Sequence, residues 1–163
     1  MKTYNILFLC TGNSCRSIIG EALASTISHG RLIGYSAGSK PKSDIHPLAM
    51  ELAERLGYSS EKLRNKSWEE FASPNAPQMD FIITVCDDAA GESCPVWPGH
   101  PATAHWGFPD PAAVVGSEEQ IRNAFEQVEI GIRNRIEFFL ELPLETLDSI
   151  SIKHHLAEIH KNA

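Results

Sequence analysis

The sequence predicts a single-domain α/β fold: an open parallel sheet of about four strands with helices on both faces. Strand-like and helix-like segments alternate along the chain, which is typical of this class. The strand-like segments are almost continuously apolar, as expected for strands that are buried on both faces. A length of 163 residues with 42% hydrophobic content suits one domain with a substantial core. Because ligands bind at the carboxyl ends of parallel strands, the residues after each strand are the first site candidates.

The first half of the chain contains two strand-helix pairs. Apolar residues run almost without interruption over 4–9 and 31–37, and they recur at helical spacing over 17–29 and from Pro47 onward. Gly30 and Gly57 follow the two predicted helices and suit left-handed C-terminal caps. Pro47 is a favourable first residue for the second helix.

The second half predicts one further clear strand and the longest helix. The strand covers 80–85, after a short helix at 67–71, and a short strand near 103–106 lies within the proline-rich segment 86–111. Ser117 and Gln120 form a capping box for the long helix. We assign residues 1–142 to the main domain and 143–163 to a C-terminal helical extension that packs on it or trails from it.

Composition excludes several classes of function. The net charge is −7 and no run of Lys or Arg occurs, which disfavours binding to nucleic acid and to anionic membranes. The apolar run at 6–9 is too short for a signal peptide, and no segment approaches the roughly 20 apolar residues of a spanning helix. We therefore expect a cytoplasmic protein whose four cysteines are reactive or buried thiols rather than structural disulfides.

The segment between the first strand and the first helix has the pattern of an oxyanion-binding loop. It begins at Cys10 and ends at Ser17. Its flexible residues tolerate positive φ angles, and its amides are expected to converge on an anion at the positive end of the helix. Arg16 can bind two oxygens of a tetrahedral oxyanion through its planar guanidinium group. The predicted oxyanion-binding residues are Thr11, Gly12, Asn13, Ser14, Cys15 and Arg16.

Cys10 is the predicted nucleophile of this loop. A helix N-terminus and a neighbouring arginine both favour the thiolate, and Ser17 is placed to donate a hydrogen bond to the sulfur. The alternative interpretation is a buried cysteine at a strand end, followed by a turn that starts a helix. We interpret the side chain of Cys15 as a packing residue rather than a second nucleophile.

Two further thiols and one carboxylate extend the candidate site. Cys86 follows the third predicted strand and Cys94 lies eight residues later, a spacing that allows their sulfurs to meet. Incidental thiols, or a zinc site with His100 and His105, remain alternatives, although zinc prefers more closely spaced cysteine pairs. Asp110 lies between two prolines, which stiffen the turn. By itself this motif favours a simple turn, but together with the upstream loop it favours a general acid.

Taken together, these motifs resemble arsenate reductases built on the low-molecular-weight tyrosine phosphatase fold, of the type that receives electrons from thioredoxin. The resemblance covers roughly residues 5–142. It rests on Cys-Thr-Gly-Asn-Ser-Cys-Arg-Ser from Cys10, Ser-Ala-Gly-Ser from Ser36, Val85-Cys86 with Cys94-Pro95, and His105-Trp-Gly-Phe followed by Asp110-Pro111.

The resemblance implies a three-thiol relay with no bound cofactor. Cys10 would attack arsenate, Asp110 would protonate the departing oxygen, and Cys86 would then expel arsenite by attacking the Cys10 sulfur. Cys94 would carry the resulting disulfide outward for reduction by thioredoxin. The gap between Cys86 and Cys94 is one residue longer than in the members compared, so glutathione with glutaredoxin remains the alternative reductant.

Two rival functions and one ion site are compatible with parts of these motifs. A phosphatase acting on aryl phosphates would use the same loop, but Ala112 stands where its members carry an aromatic residue. A non-enzymatic oxyanion or redox sensor is disfavoured because Cys10, Arg16 and Asp110 are all present. Positions matching a potassium site are Asn13, Glu21 and Ser36, yet the fourth matching position, at about Ser67 and Trp68, carries no acid. We predict no metal and no tight potassium site.

Overall fold

The computed structural model describes residues 2–87 and 97–162. Within them lie four strands: β1 (Tyr4–Cys10), β2 (Leu32–Gly38), β3 (Phe81–Thr84) and β4 (Ala102–His105). The α-helices of the same residues are α1 (Arg16–Ile27), α2 (Pro47–Arg55), α3 (Glu118–Leu140) and α4 (Ser149–Asn162). Short 3-10 helices are formed by Ser60–Lys62, Trp68–Phe71, Pro111–Ala113 and Leu144–Thr146. In the part of the chain described, no helix is both long and apolar enough to cross a membrane.

The four strands form one parallel sheet, as predicted, and the structure shows their order to be β2-β1-β3-β4. The pairing aligns the carboxyl ends of the strands. Cys10 pairs with Gly38 of β2, and Thr84 of β3 pairs with Leu9 on one side and His105 on the other. One edge of the sheet therefore collects the residues that follow β1 and β3, where two of the predicted thiols lie.

The two faces of the sheet are covered by different kinds of helix. Alternate β1 residues point to opposite faces. Ile6 and Phe8 join the larger core cluster, to which all four α-helices contribute. Leu7 and Leu9 join a smaller cluster with the 3-10 helix Trp68–Phe71, Met79 and Trp97. The prediction of helices on both faces is thus confirmed, with the α-helices concentrated in the larger cluster.

The predicted helix ends were accurate to within about two residues. Gly30 and Gly57 both have a φ of 83°, the left-handed conformation expected after each helix. Ser117 Oγ accepts a hydrogen bond from the Gln120 amide while the Gln120 side chain accepts one from the Ser117 amide, which completes the predicted capping box. Helix α1 begins at Arg16, one residue earlier than predicted.

Helix α4 packs on the domain. Leu156 is fully buried and Ile152 is 8% exposed, and both belong to the larger core cluster. The indole Nε1 of the buried Trp106 donates a 2.9 Å hydrogen bond to the Leu156 carbonyl. This contact ties α4 to the segment that leads from β4 toward Asp110. The division at residue 142 itself stays a prediction.

Candidate active site

The loop after β1 curls between the sheet and α1. Asn13 adopts a φ of 50°, so the predicted positive φ occurs at this residue, whereas Gly12 is outside the left-handed region. A Cβ at Gly12 would lie 3.2 Å from carbons of the Lys42 side chain, a tight contact that a small shift of this exposed side chain relieves. Close approach explains Gly38, where a Cβ would lie 2.4 Å from the Thr11 carbonyl oxygen.

The N-terminus of α1 lacks the side-chain cap that other helices carry. Among the described residues, His46 caps α2 and Ser117 caps α3, but no side chain caps α1 behind Cys15. Uncapped amides at the start of a helix are available to an anion, and the helix dipole favours negative charge there. This local geometry agrees with an oxyanion site over the loop.

Cys10 is 3% exposed and lies in a directed hydrogen-bond chain. Its Sγ lies 2.9 Å from Ser17 Oγ, which accepts a 2.9 Å hydrogen bond from Asn13 Nδ2. Asn13 Oδ1 in turn accepts from the Lys66 backbone amide at 3.0 Å. Because Ser17 Oγ already accepts from Asn13, its own proton is free to be donated to the Cys10 sulfur. The chain therefore directs a hydroxyl donor at the Cys10 sulfur.

Arg16 connects the loop to the segment after β4. Its Nη1 donates a 2.8 Å hydrogen bond to the Phe108 carbonyl, and its Nη2 lies 3.9 Å from Asp110 Oδ2. A pocket of about 230 Å³ opens between these groups. It is lined by Cys10, Thr11, Gly12, Ser14, Cys15, Arg16, Lys40, Lys42 and Asp110.

Asp110 is held in place by its own turn. Its Oδ1 accepts a 2.9 Å hydrogen bond from the Ala112 amide and so caps the 3-10 helix Pro111–Ala113. Its side chain is 39% exposed and borders the pocket. The turn and the acid were alternative interpretations of this motif, and the structure supports a turn that directs the carboxylate toward the pocket.

Cys86 lies beside the loop that holds Cys10. The Val85 amide donates a 2.8 Å hydrogen bond to the Leu9 carbonyl, which brings the end of β3 next to that of β1. Cys86 is 2% exposed, and its Sγ lies 3.6 Å from Thr11 Oγ1. Cys10 and Cys15 are free thiols. Cys94 lies outside the described residues.

Cys15 is buried directly before the first residue of α1. Burial raises the pKa of its thiol, an effect only partly opposed by the hydrogen bond with Ser14. Its sulfur belongs to the larger core cluster. A buried thiol that resists ionisation is a poor nucleophile, which is consistent with a packing role for this side chain.

A buried ionic cluster underlies the loop. Glu21 accepts 2.6 Å hydrogen bonds from the hydroxyls of Ser36 and Tyr58, and Lys66 Nζ lies 3.8 Å from its Oε1. Burial lowers the pKa of Lys66, and burial together with the contact to Glu21 raises the pKa of Tyr58. The ammonium of Lys66 thus stands beside Glu21 and Ser36, two of the positions that match a potassium site. The absence of a tight potassium site stays a prediction.

His105 is engaged on both sides of its ring. Its Nδ1 lies 2.8 Å from Thr84 Oγ1 and its Nε2 lies 2.7 Å from Asp87 Oδ1. Among residues 2–87 and 97–162, no group of three or more His, Cys, Asp or Glu side chains is arranged to hold a metal ion. The zinc alternative therefore gains no support from the described residues.

Comparison with known proteins places this geometry in a family. A family model for low molecular weight phosphotyrosine protein phosphatases matches residues 5–148. The chain belongs to this family. The loop at Cys10 and the turn at Asp110 both lie within the matched residues.

Within the low molecular weight phosphatase family, the most similar relatives include arsenate reductases. That of Bacillus subtilis strain 168 is 36% identical over 141 residues, covering 86% of this chain and 98% of the relative. That of Oceanobacillus iheyensis is 35% identical over 134 residues, covering 82% and 93%. The resemblance inferred from the motifs is confirmed.

Solved structures give the same fold. A thioredoxin-dependent arsenate reductase from Corynebacterium glutamicum has a TM-score of 0.58 and 26% identity, and the match spans 89% of this chain and 64% of that one. An arsenate reductase in the phosphate binding state has a TM-score of 0.61 and 27% identity, with 85% and 98% covered.

The structure brings together most of the predicted site residues and adds several. Cys10, Arg16 and Asp110 all line the pocket, with Ser17 beneath the nucleophile and Cys86 beside the loop. Sequence reasoning missed Lys40 and Lys42 at the pocket and Lys66 beneath it. The pair Lys-Pro-Lys directly after Ser-Ala-Gly-Ser was a signal for the first two. Lys66 had no comparable signal, because its partners are distant in the chain.

Proposed function

We propose that this protein reduces arsenate to arsenite, with Cys10 as nucleophile and Cys86 as the second thiol of a disulfide relay. The relatives named above as arsenate reductases support the reaction. The observation that carries the assignment to these residues is a second buried thiol next to the nucleophile's loop, with Cys86 Sγ 3.6 Å from Thr11 Oγ1. Hydrolysis of a phosphate ester has no use for such a thiol.

The first step is displacement at arsenic. Arsenate binds over the loop amides and the Arg16 guanidinium, and the Cys10 thiolate attacks the arsenic atom. An arsenic-oxygen bond breaks, and Asp110 donates a proton so that the oxygen leaves as water. Asp110 caps the 3-10 helix Pro111–Ala113, and its carboxyl lines the pocket near Arg16, which supports this role. The product is a Cys10-arsenic(V) adduct.

The second step transfers electrons from sulfur to arsenic. The Cys86 thiolate attacks Cys10 Sγ, the sulfur-arsenic bond breaks, and its electron pair remains on arsenic. Arsenic(V) thereby becomes arsenic(III) and leaves as arsenite, while the two cysteines are oxidised to a disulfide. The contact between Cys86 Sγ and Thr11 Oγ1 supports this step, because it puts the second sulfur beside the loop that holds Cys10.

The third step regenerates the enzyme. Cys94 attacks Cys86 and frees Cys10, and an external thiol reduces the Cys86–Cys94 disulfide. We propose thioredoxin as this reductant, on the likeness to the thioredoxin-dependent reductase of Corynebacterium glutamicum. Glutathione with glutaredoxin is the alternative. No cofactor needs to be bound for any of these steps.

The decisive experiment follows NADPH consumption by the protein with arsenate, thioredoxin and thioredoxin reductase. A parallel series replaces these reductants with glutathione, glutaredoxin and glutathione reductase. We expect arsenate-dependent consumption in the thioredoxin series, and its loss in Cys10→Ser, Cys86→Ser and Cys94→Ser. Consumption in the glutathione series alone would overturn the choice of reductant.

Hydrolysis of an aryl phosphate supplies a control within the same variants. It requires Cys10, Arg16 and Asp110 but neither of the other thiols, so Cys86→Ser should retain it while losing arsenate reduction. Cys10→Ser should lose both activities. If Cys86→Ser still reduces arsenate at the wild-type rate, the relay is wrong. If no variant or wild-type protein turns over either substrate, a binding or sensing role replaces catalysis.

Phosphatase activity is the second candidate function, favoured by the family to which the chain belongs. The pocket holds a nucleophile, an arginine and an acid, which suffice for a phosphoenzyme mechanism. Beside it, however, the exposed Ala112 offers no ring to stack on an aryl group. We therefore expect aryl phosphate hydrolysis to be a slow side activity.

A further inference from the structure

A short segment after β2 runs alongside the oxyanion loop and is attached to it through the backbone. The amides of Ser39, Lys40 and Lys42 donate hydrogen bonds to the carbonyls of Cys10, Thr11 and Gly12 at 3.3, 2.9 and 2.9 Å. These hydrogen bonds hold the backbone of the oxyanion loop in place through its carbonyl groups. The same attachment fixes where Lys40 and Lys42 enter the pocket wall.

Both lysine side chains lie at the mouth of the pocket. They line it together with Arg16 and Asp110, and both are exposed to solvent. The methylene groups of Lys42 cross Gly12, because a Cβ added there would meet its Cγ and Cε at 3.2 Å. The ammonium of Lys42 also helps to lower the pKa of the nearby His46, which indicates that its charge acts on this end of the molecule.

The charge of the whole chain makes these two lysines informative. A net charge of −7 repels a dianion at long range, yet the proposed substrate carries negative charge. Around the pocket the balance is reversed, with three cationic side chains against the single carboxylate of Asp110. Arg16 is already engaged with Phe108, so Lys40 and Lys42 provide the cationic charge that faces solvent.

We propose that Lys40 and Lys42 form a cationic rim that attracts anions to the pocket and selects anionic over neutral reactants at Cys10. The rim is a specificity determinant, and it deepens the proposed function by adding how the substrate reaches the thiol. The inference about the rim requires only that Cys10 reacts in this pocket. Local positive charge of this kind accelerates the capture of anions and is weakened by salt.

The test compares two alkylating reagents of similar size, iodoacetate, which is an anion, and iodoacetamide, which is neutral. Their rates at Cys10 are measured by peptide mass spectrometry, with fragmentation to separate Cys10 from Cys15. The ratio of the two rates cancels any change in the fraction of thiolate, since both reagents need the same thiolate. In Lys40→Met/Lys42→Met, which keeps the methylene packing, we expect the iodoacetate-to-iodoacetamide ratio to fall roughly 3- to 10-fold at low salt.

A matched control removes the same number of charges elsewhere. Lys153→Met/Lys161→Met changes two exposed lysines of α4 and should leave the ratio unchanged. At high salt the difference between the wild-type protein and the rim variant should shrink. The concentration of inorganic phosphate that halves the iodoacetamide rate should rise severalfold in the rim variant only. Should the double methionine variant fail to fold, Lys40→Gln/Lys42→Gln is measured in its place.

Each outcome decides the inference. An unchanged ratio in the rim variant overturns it, and so does an equal fall in the α4 control, which would reveal an effect of net charge alone. A fall confined to the rim variant supports it even if arsenate is not reduced. That combination would leave the rim intact and defeat the proposed function, so the two failures are distinguishable.

Discussion

The side-chain amide of Asn13 donates a 2.9 Å hydrogen bond to Oγ of Ser17, and this contact determines the direction in which the Ser17 hydroxyl points. The orientation of the Asn13 amide is itself defined, because its Oδ1 accepts from the Lys66 backbone amide. Ser17 therefore presents its proton to the Cys10 sulfur, 2.9 Å away. The backbone amide of Lys66, 53 residues beyond Asn13, thus sets the direction of the hydrogen bond to Cys10.

Removing this donor should slow the reaction of Cys10. We expect Ser17→Ala to reduce the iodoacetamide alkylation rate at neutral pH by about tenfold, because a charge-assisted hydrogen bond contributes about 1.5 kcal/mol or more. Ser25→Ala is the matched control, since Ser25 lies on the same helix and its hydroxyl accepts from the Gly34 amide. Equal rates in Ser17→Ala and wild type would show that the hydroxyl does not act on the thiolate.

The buried ion pair between Lys66 and Glu21 should be important for stability. In Lys66→Met the Glu21 carboxylate loses its cation while it remains 4% exposed, and breaking a buried pair costs about 3 kcal/mol or more. Urea unfolding should show this loss, with partial recovery in Lys66→Met/Glu21→Gln. Lys153→Met, at an exposed position of α4, should change the free energy of unfolding by less than about 0.5 kcal/mol. A similarly small effect of Lys66→Met would contradict the assigned role.

His46 should make the protein less stable in mild acid. Burial lowers the pKa of its imidazole, with Asp110 acting in the opposite direction and Lys42 in the same one. Below the unfolded value of about 6.5 the unfolded chain binds more protons than the native one. Stability is therefore complete above that pH and declines as the pH falls toward the lowered native pKa.

His46→Asn isolates this contribution, because asparagine can still accept the Leu48 amide that caps α2. Urea unfolding at pH 7.5 and 5.5 should show a larger loss of stability for wild type than for the variant. The half-buried His160, whose pKa is also lowered, remains in both proteins and cancels in the comparison. Identical losses in the two proteins would exclude His46 as a source of the pH dependence.

Helix α4 should behave as part of the core. Leu156 has a fully buried side chain, and its backbone carbonyl accepts a hydrogen bond from Trp106. We expect Leu156→Ala to lower the free energy of unfolding by about 2 to 5 kcal/mol. Ile150→Ala, on the same helix at 82% exposure, should cost less than about 0.5 kcal/mol. If both changes have the same small effect, α4 contributes nothing to the stability of the domain.

Predictions from the sequence were most accurate where the signal was local. The capping box at Ser117, the left-handed glycines and the strand that ends at Cys10 each depend on residues within a few positions of one another. Cys10 and Arg16 lie in one loop, so their proximity could be predicted without knowledge of the sheet. Cys86 and Asp110 could be placed near them only through the rule that parallel strands end at one edge.

The parts that escaped prediction all depend on contacts between distant segments. Lys66 meets Asn13 and Glu21 across long stretches of chain, and Lys42 crosses Gly12 because the segment after β2 folds back along the loop. The place of α4 follows from the buried carbonyl of Leu156 beneath Trp106. Neither periodicity nor spacing reports such pairings.

By itself, therefore, the sequence determined the fold class, the order of most elements and the loop that holds Cys10 and Arg16. The tertiary structure decided which hydroxyl proton faces Cys10, which cation accompanies Glu21 and which charges surround the pocket. The physical reason is the range of the interactions. Caps, turns and helix periodicity are set within a few residues of each other, whereas hydrogen-bond direction and charge pairing depend on where the whole chain brings distant residues.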